Sequence, residues 1–253
     1  MLTFTDHGAP TALPTLLIVH GLFGSARNWG AIQRRLASDR RVVAVDMRNH
    51  GESFRAERHG YPEMAGDLAE VIEAIGGPVD LVGHSMGGKA AMQLALTRGD
   101  LVHRLVVADI SPVAYGHSQV PLVEAMQALD LDGIAARSEA DQRLAGAVAD
   151  PGVRAFLLQS LDLKGDAPHW RLNLEVLGRE MGKVTGWPGT EGRYEGPTLM
   201  LAGAESDYVR PEHRAETKRL FPNARFAKIP GAGHWLHADK PREFEAALRA
   251  FLA

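Results

Sequence analysis

Cysteine is absent from the 253 residues. There can be no disulfide framework, no Cys-ligated zinc and no thiol nucleophile. Charge of one sign is also scarce: 28 Lys and Arg against 31 Asp and Glu leave a formal net charge of -3. No basic cluster interleaved with aromatics appears, so a nucleic-acid partner is not expected, nor is a strong pull toward anionic lipid. No apolar run reaches the roughly 20 residues of a membrane span. The N-terminal region lacks a basic segment ahead of an apolar one, so no secretory signal is expected. Together these absences predict a soluble, intracellular chain, with the cytoplasm as its expected compartment. They leave the oligomeric state open.

What is present is ordinary globular composition, 45% hydrophobic and 23% charged. Short, continuous apolar runs recur at 15–19, 41–45, 79–83, 104–108 and 197–201. Continuous rather than alternating apolarity suggests strands covered on both faces, as in a parallel sheet. Segments with helical spacing lie between them. One places Trp29, Ile32 and Leu36 on a common face. Another starts near Pro62 and stops at Gly76 and Gly77. The alternation predicts a doubly wound α/β fold. From Ile110 to Gly196 no convincing strand appears. A structureless loop of that size is implausible in a compact domain. Helices are expected there around 120–130, 138–149, 151–162 and 168–183. Residues 1–109 and 197–253 are then the core, and 110–196 a helical cap over the carboxyl edge of the sheet, where ligands bind in such folds.

Gly83-His84-Ser85-Met86-Gly87 fits G-x-S-x-G. The pattern is weak alone, but the predicted strand before it and helix after it are the context it needs. There Ser85 is a nucleophile on a strained turn. The competing reading is a plain helix N-cap. The stretch "VHGLFGSARNW" (19–29) supplies a Gly-rich loop able to aim a backbone N–H at an ester carbonyl. Leu22, with Phe23 close behind, and Met86 are the expected oxyanion donors. In "IPGAGHWLHADKP" (229–241), His234 suits a general base reaching Ser85 from another strand end. His237 is the rival, expected on the opposite flank of the turn. Most of the other histidines are expected on the solvated surface. His20, His50 and His84 sit on separate loops without H-E-x-x-H spacing, so no metal site is expected.

"HGLFGSARNW", "VDMRNHGES", "VGHSMGGKAAM", "RLVVADISPV" and "GAGHWLHADKP" together resemble the α/β-hydrolase superfamily. The likeness is to the esterase branch with the bacterial YbfF-type enzymes and their mitochondrial relatives. It spans nearly the whole chain and is weakest in 110–196. It implies Ser–His–acid hydrolysis of a small-molecule ester, with no metal or organic cofactor. It also implies that Asp46, Arg48 and Ser53 brace the loop beside the oxyanion turn. Lys89 matches the branch, and is expected to be solvated.

The acid departs from the commonest superfamily pattern. "GAESDYVRP" puts Ser206 in the usual slot, with Glu205 and Asp207 displaced by one residue on either side. Asp109, ending the strand after the Ser85 helix, is the preferred acid, because adjacent strand ends bring it behind the imidazole. YbfF-type enzymes similarly place their acid there. Asp207 is the alternative. The expected activity is serine carboxylesterase, through an acyl-enzyme. The alternatives are the same triad on thioesters, amides or carbon–carbon bonds, or a non-turnover binding relative. Val120, Leu122, Met126, Phe156, Leu157, Trp170, Leu174, Met181 and Trp187 are candidates to line an acyl pocket.

Overall fold

The structure is a computed structural model that describes residues 1–164 and 167–253. The chain runs β1 (Phe4–His7), β2 (Leu16–Val19), α1 (Gly30–Leu36), β3 (Val42–Val45), α2 (Tyr61–Ile75), β4 (Val79–His84), α3 (Met86–Thr97) and β5 (Val102–Ala108). Then come α4 (Val120–Ala128), α5 (Arg137–Leu144), α6 (Pro151–Leu157), β6 (Leu161–Asp162), β7 (His169–Trp170), α7 (Leu174–Arg179) and α8 (Met181–Thr185). The chain closes with β8 (Thr198–Gly203), α9 (Arg214–Leu220), β9 (Ala224–Ile229), α10 (Leu236–Asp239) and α11 (Pro241–Leu252).

Seven strands form one sheet in the order β1-β3-β2-β4-β5-β8-β9. All pairings are parallel except β1 with β3. Successive side chains on a strand point to opposite faces, and the core divides accordingly. Leu17, Val19, Val43, Leu81, Leu105 and Val107 pack with Leu68, Ile72, Ala90 and Leu94 of α2 and α3. Leu16, Ile18, Val42, Val82 and Val106 pack with Ile32 and Leu36 of α1 and Phe244, Leu248 and Leu252 of α11. The continuous apolar runs therefore mark strands covered on both sides, as expected for a doubly wound sheet.

Three details differ from expectation. β1 has no apolar run to announce it: it is an edge strand with its central residues exposed. The interval 110–196 is not wholly helical, since β6 and β7 pair antiparallel within it, Leu161 opposite Trp170. The helix expected over 168–183 is instead β7 followed by two short helices, α7 and α8. The Arg171 N–H donates to the Ser160 carbonyl at 2.9 Å, and its Nη2 donates to Asp162 Oδ2 at 2.6 Å, so pairing with the preceding segment takes a backbone donor that a helix would need.

Candidate active site

The carboxyl ends of β2, β4, β5, β8 and β9 converge on one place. β4 ends at His84, and Ser85 makes the turn into α3 with φ 52° and ψ -119°. A side chain there is strained, since only glycine takes positive φ freely. Tight packing enforces the turn. A Cβ on Gly83 would run into the Gly87 carbonyl, and one on Gly87 into the carbonyls of Val19 and His20. Ser85 caps nothing: its side chain makes no N-cap hydrogen bond. Its Oγ lies 3.0 Å from His234 Nε2.

His234 Nδ1 lies 2.8 Å from Asp109 Oδ2. Asp109 follows β5, is fully buried and has φ 52°. Its Oδ1 accepts from the Gly203 N–H at 2.9 Å, and its Oδ2 also accepts from the Ser206 hydroxyl. A buried carboxylate needs such partners to offset lost hydration. Gly203 has to be small here, because a Cβ would meet the carbonyls of Ala232 and Gly233 on the His234 loop. Asp207 is exposed, and among the described residues only its backbone carbonyl bonds, to Arg210 Nε. His237 sits in α10, stacked on Trp29 with ring centroids 4.2 Å apart. The structure thus brings Ser85, His234 and Asp109 into one line and leaves Asp207 and His237 out of it.

The loop after β2 is shaped by neutral histidines. His20 Nδ1 donates to the Gly21 carbonyl at 2.8 Å, and its Nε2 accepts the Met47 N–H at 2.9 Å. His50 Nδ1 donates to the Arg48 carbonyl, and its Nε2 accepts the Phe23 N–H at 3.1 Å. Phe23 takes φ 64°. Its amide is therefore committed, whereas Leu22 N–H has no hydrogen-bond partner among the described residues. Met86 is the first residue of α3, where amides lack helical partners. Beside this loop, Asp46 accepts from the amides of Ala26 and Glu52, Ser53 Oγ donates to the Asp46 carbonyl, and Arg48 pairs with Asp67. That is the bracing expected of this stretch.

Five of the eleven histidines lie away from the surface. His20, His50, His59, His84 and His237 are buried. His20 and His50 do not stay apart either: their rings lie 5.1 Å from each other and His50 lies 5.5 Å from His59. Burial pushes His20 down to about 4 and, with help from His20, His50 down to about 3. Burial likewise holds His59 and His84 well below the usual range and pushes His237 down to about 3. His84 Nε2 donates to the His234 carbonyl at 2.8 Å, fastening the base's loop to the elbow. No group of three His, Cys, Asp or Glu that could hold a metal is found among the described residues.

Lys89, one helical turn past Ser85, is buried rather than solvated. Its Nζ donates to the carbonyls of Thr185 at 3.0 Å and Gly186 at 2.5 Å, and lies 4.7 Å from the centre of the Tyr115 ring. Burial pushes its ammonium down to about 7. Sequence spacing gave no sign of this, because both acceptors are backbone carbonyls nearly a hundred residues away. Tyr208, also not foreseen, stacks on His234 with centroids 3.9 Å apart.

Ser85 and His234 open on a cavity of about 280 Å³. Of the apolar candidates in 110–196, Leu122, Phe156 and Leu157 line it, joined by Ile110, Val153 and Val184. Trp170 is buried elsewhere, its indole N–H donating to the Met126 carbonyl.

The family described as "Alpha/beta hydrolase family" matches residues 16–247. The chain is 43% identical over 250 residues to the sn-1-specific diacylglycerol lipase ABHD11 of Mus musculus, covering 95% of this chain and 81% of the mouse protein. It is 37% identical over 243 residues to esterase YbfF of Escherichia coli K12, covering 94% and 92% respectively. A solved structure titled "Marine microorganism esterase" superposes with a TM-score of 0.93 at 34% identity, covering 99% of this chain and 98% of its own.

Proposed function

The chain belongs to the α/β-hydrolase family, and from that premise we propose that it is a serine carboxylesterase acting on small to medium acyl esters. The observation that carries this reading is the hydrogen-bonded line Ser85–His234–Asp109 opening on a mainly apolar cavity. Ser85 Oγ attacks the ester carbonyl while His234 Nε2 takes its proton. Asp109 holds the Nδ1–H, fixes the tautomer and stabilises the imidazolium that forms. The amides of Leu22 and Met86 receive the developing oxyanion, each worth about 3–4 kcal/mol in the transition state. His234 then gives its proton to the leaving alcohol, and an acyl-enzyme remains. Water, deprotonated by the same imidazole, releases the acid and restores Ser85.

Residues 110–196 act in this reading as a cap, supplying the apolar wall of Leu122, Val153, Phe156 and Leu157. Relatives named esterase and diacylglycerol lipase support ester substrates. No helix among the described residues is long and apolar enough to cross a membrane. The cytoplasm remains the compartment we propose.

A fluorophosphonate should label one site and abolish turnover of p-nitrophenyl esters, and Ser85→Ala should lose both label and turnover. Iodoacetamide should leave activity untouched, since there is no cysteine to alkylate. Labelling or turnover that survives in Ser85→Ala would sink the assignment. Acyl-CoA thioesters run beside esters of graded acyl length would separate ester from thioester preference.

A further inference from the structure

His234 is fixed at its edge by polar partners: Asp109 at Nδ1, Ser85 at Nε2 and His84 at the backbone carbonyl. A further contact is with its face. The Tyr208 ring lies nearly parallel to the imidazole, with centroids 3.9 Å apart and an interplanar angle of 18°. Tyr208 is itself clamped at three points. Its hydroxyl meets His117 Nε2 at 2.8 Å, its carbonyl accepts from the Tyr115 hydroxyl at 2.8 Å, and its N–H donates to Ser206 Oγ at 3.3 Å. An aliphatic side chain would fill the same space. An aromatic face adds one property that shape does not: its quadrupole attracts a cation.

During turnover the imidazole gains a positive charge when it takes a proton from Ser85 or from water, and loses it on delivery to the leaving alcohol or back to Ser85. An interaction that strengthens only then lowers the barrier without tightening ground-state binding. We propose that Tyr208 is a positioning residue for His234, and that its ring face stabilises the imidazolium formed during turnover. This rests on the triad reading above. Asp109 reaches the same charge through the ring nitrogen, in the imidazole plane, while Tyr208 covers the face. The other histidines nearby are His84, His237 and His117. All three are held below the usual histidine range by burial first, so each disfavours its own charged form.

The test compares Tyr208→Phe, Tyr208→Leu and a series of increasingly fluorinated phenylalanines placed at 208. Tyr208→Phe should stay within about threefold of the wild type in kcat, since the ring face is kept. Tyr208→Leu should lose about five- to thirtyfold, from the strength of a desolvated cation–π contact. With the charged imidazole less favoured, the acid limb of its kcat/KM profile should move to lower pH by about half a unit or more. Fluorination preserves ring shape while draining the face of negative charge, so kcat should fall stepwise along that series. The fluorinated series decides the matter should the leucine variant fail to fold. A flat series, or a phenylalanine variant as damaged as leucine, would overturn the proposal. Ser85→Ala, assayed in parallel, separates the two failures: turnover there would remove the triad reading itself, whereas a dead Ser85→Ala with a flat series removes only the role of Tyr208.

Discussion

The Ser206 hydroxyl donates to Oδ2 of Asp109, the same oxygen that faces Nδ1 of His234. A residue in the slot where an acid is usual therefore serves the acid that sits on the neighbouring strand. Asp109→Asn should lower kcat by about 10⁴, because the amide favours the wrong imidazole tautomer. Asp207→Asn should cost under about tenfold, its side chain being exposed and outside the line. Ser206→Ala should fall between them, at about ten- to a hundredfold, the worth of one hydrogen bond to a charged group. Steady-state assays on variants with wild-type circular dichroism would check the order. Asp207→Asn falling below Asp109→Asn would refute the assignment of the acid.

His234 and His237 are three residues apart and should fail differently. His234→Ala should leave the melting temperature near its original value and reduce kcat by about 10⁴ or more. His237→Ala removes a buried ring stacked on Trp29 and close to Phe244. It should cost about 2–4 kcal/mol of stability, with kcat of the folded fraction within about tenfold. Denaturant titration and turnover, measured on the same preparations, separate the two effects.

Acid should unfold this protein early. His20, His50 and His237 titrate at about 3 to 4 when folded and near 6.5 when unfolded, and His59 and His84 are shifted the same way. The unfolded chain then binds more protons throughout that window. Stability is fully present above about 6.5 and is lost as pH falls toward 4. Each buried histidine contributes about 1.4 kcal/mol per pH unit. Urea midpoints measured from pH 7.5 to 4.5 should fall steeply, and His50→Gln should reduce the slope. A midpoint unchanged down to pH 5 would contradict the burial of these rings.

Lys89 gives the opposite end of the pH scale. Its folded value of about 7 lies below the ordinary 10.5, so the unfolded state holds the extra proton between them. Relative to Lys89→Met, the wild type should gain stability as pH rises from 7 to 10. Parallel thermal melts of the two proteins would show it. A constant difference across that range would mean that the ammonium is not buried as described.

The sheet was legible because strands covered on both faces are apolar over most of their length: β2 and β3 are so throughout, and β4 and β5 are so apart from Asp80, His84, His103 and Arg104. The elbow was legible because Gly83 and Gly87 have backbone where a side chain would go. β1 was not, since an edge strand with exposed central residues carries no such pattern. The fates of the histidines were also hidden. Residue type does not say whether a ring is solvated, and the partners that hold His20 and His50 neutral are amides of Met47 and Phe23. The choice between Asp109 and Asp207 could be framed from sequence, but it needed the neighbouring positions of β5 and β8 to give it geometry. The two-residue strands β6 and β7 are too short to leave any periodicity at all.

Among the described residues, four besides glycines take positive φ: Phe23, Asn49, Ser85 and Asp109. Two of them belong to the proposed triad. Each such residue costs about 1 kcal/mol or more that glycine would not. A laboratory selection for heat resistance alone, blind to turnover, would therefore favour glycine at position 85. The most easily hardened descendant of this enzyme is one that has forgotten its chemistry. Thermostability screens on this scaffold need an activity gate at every round.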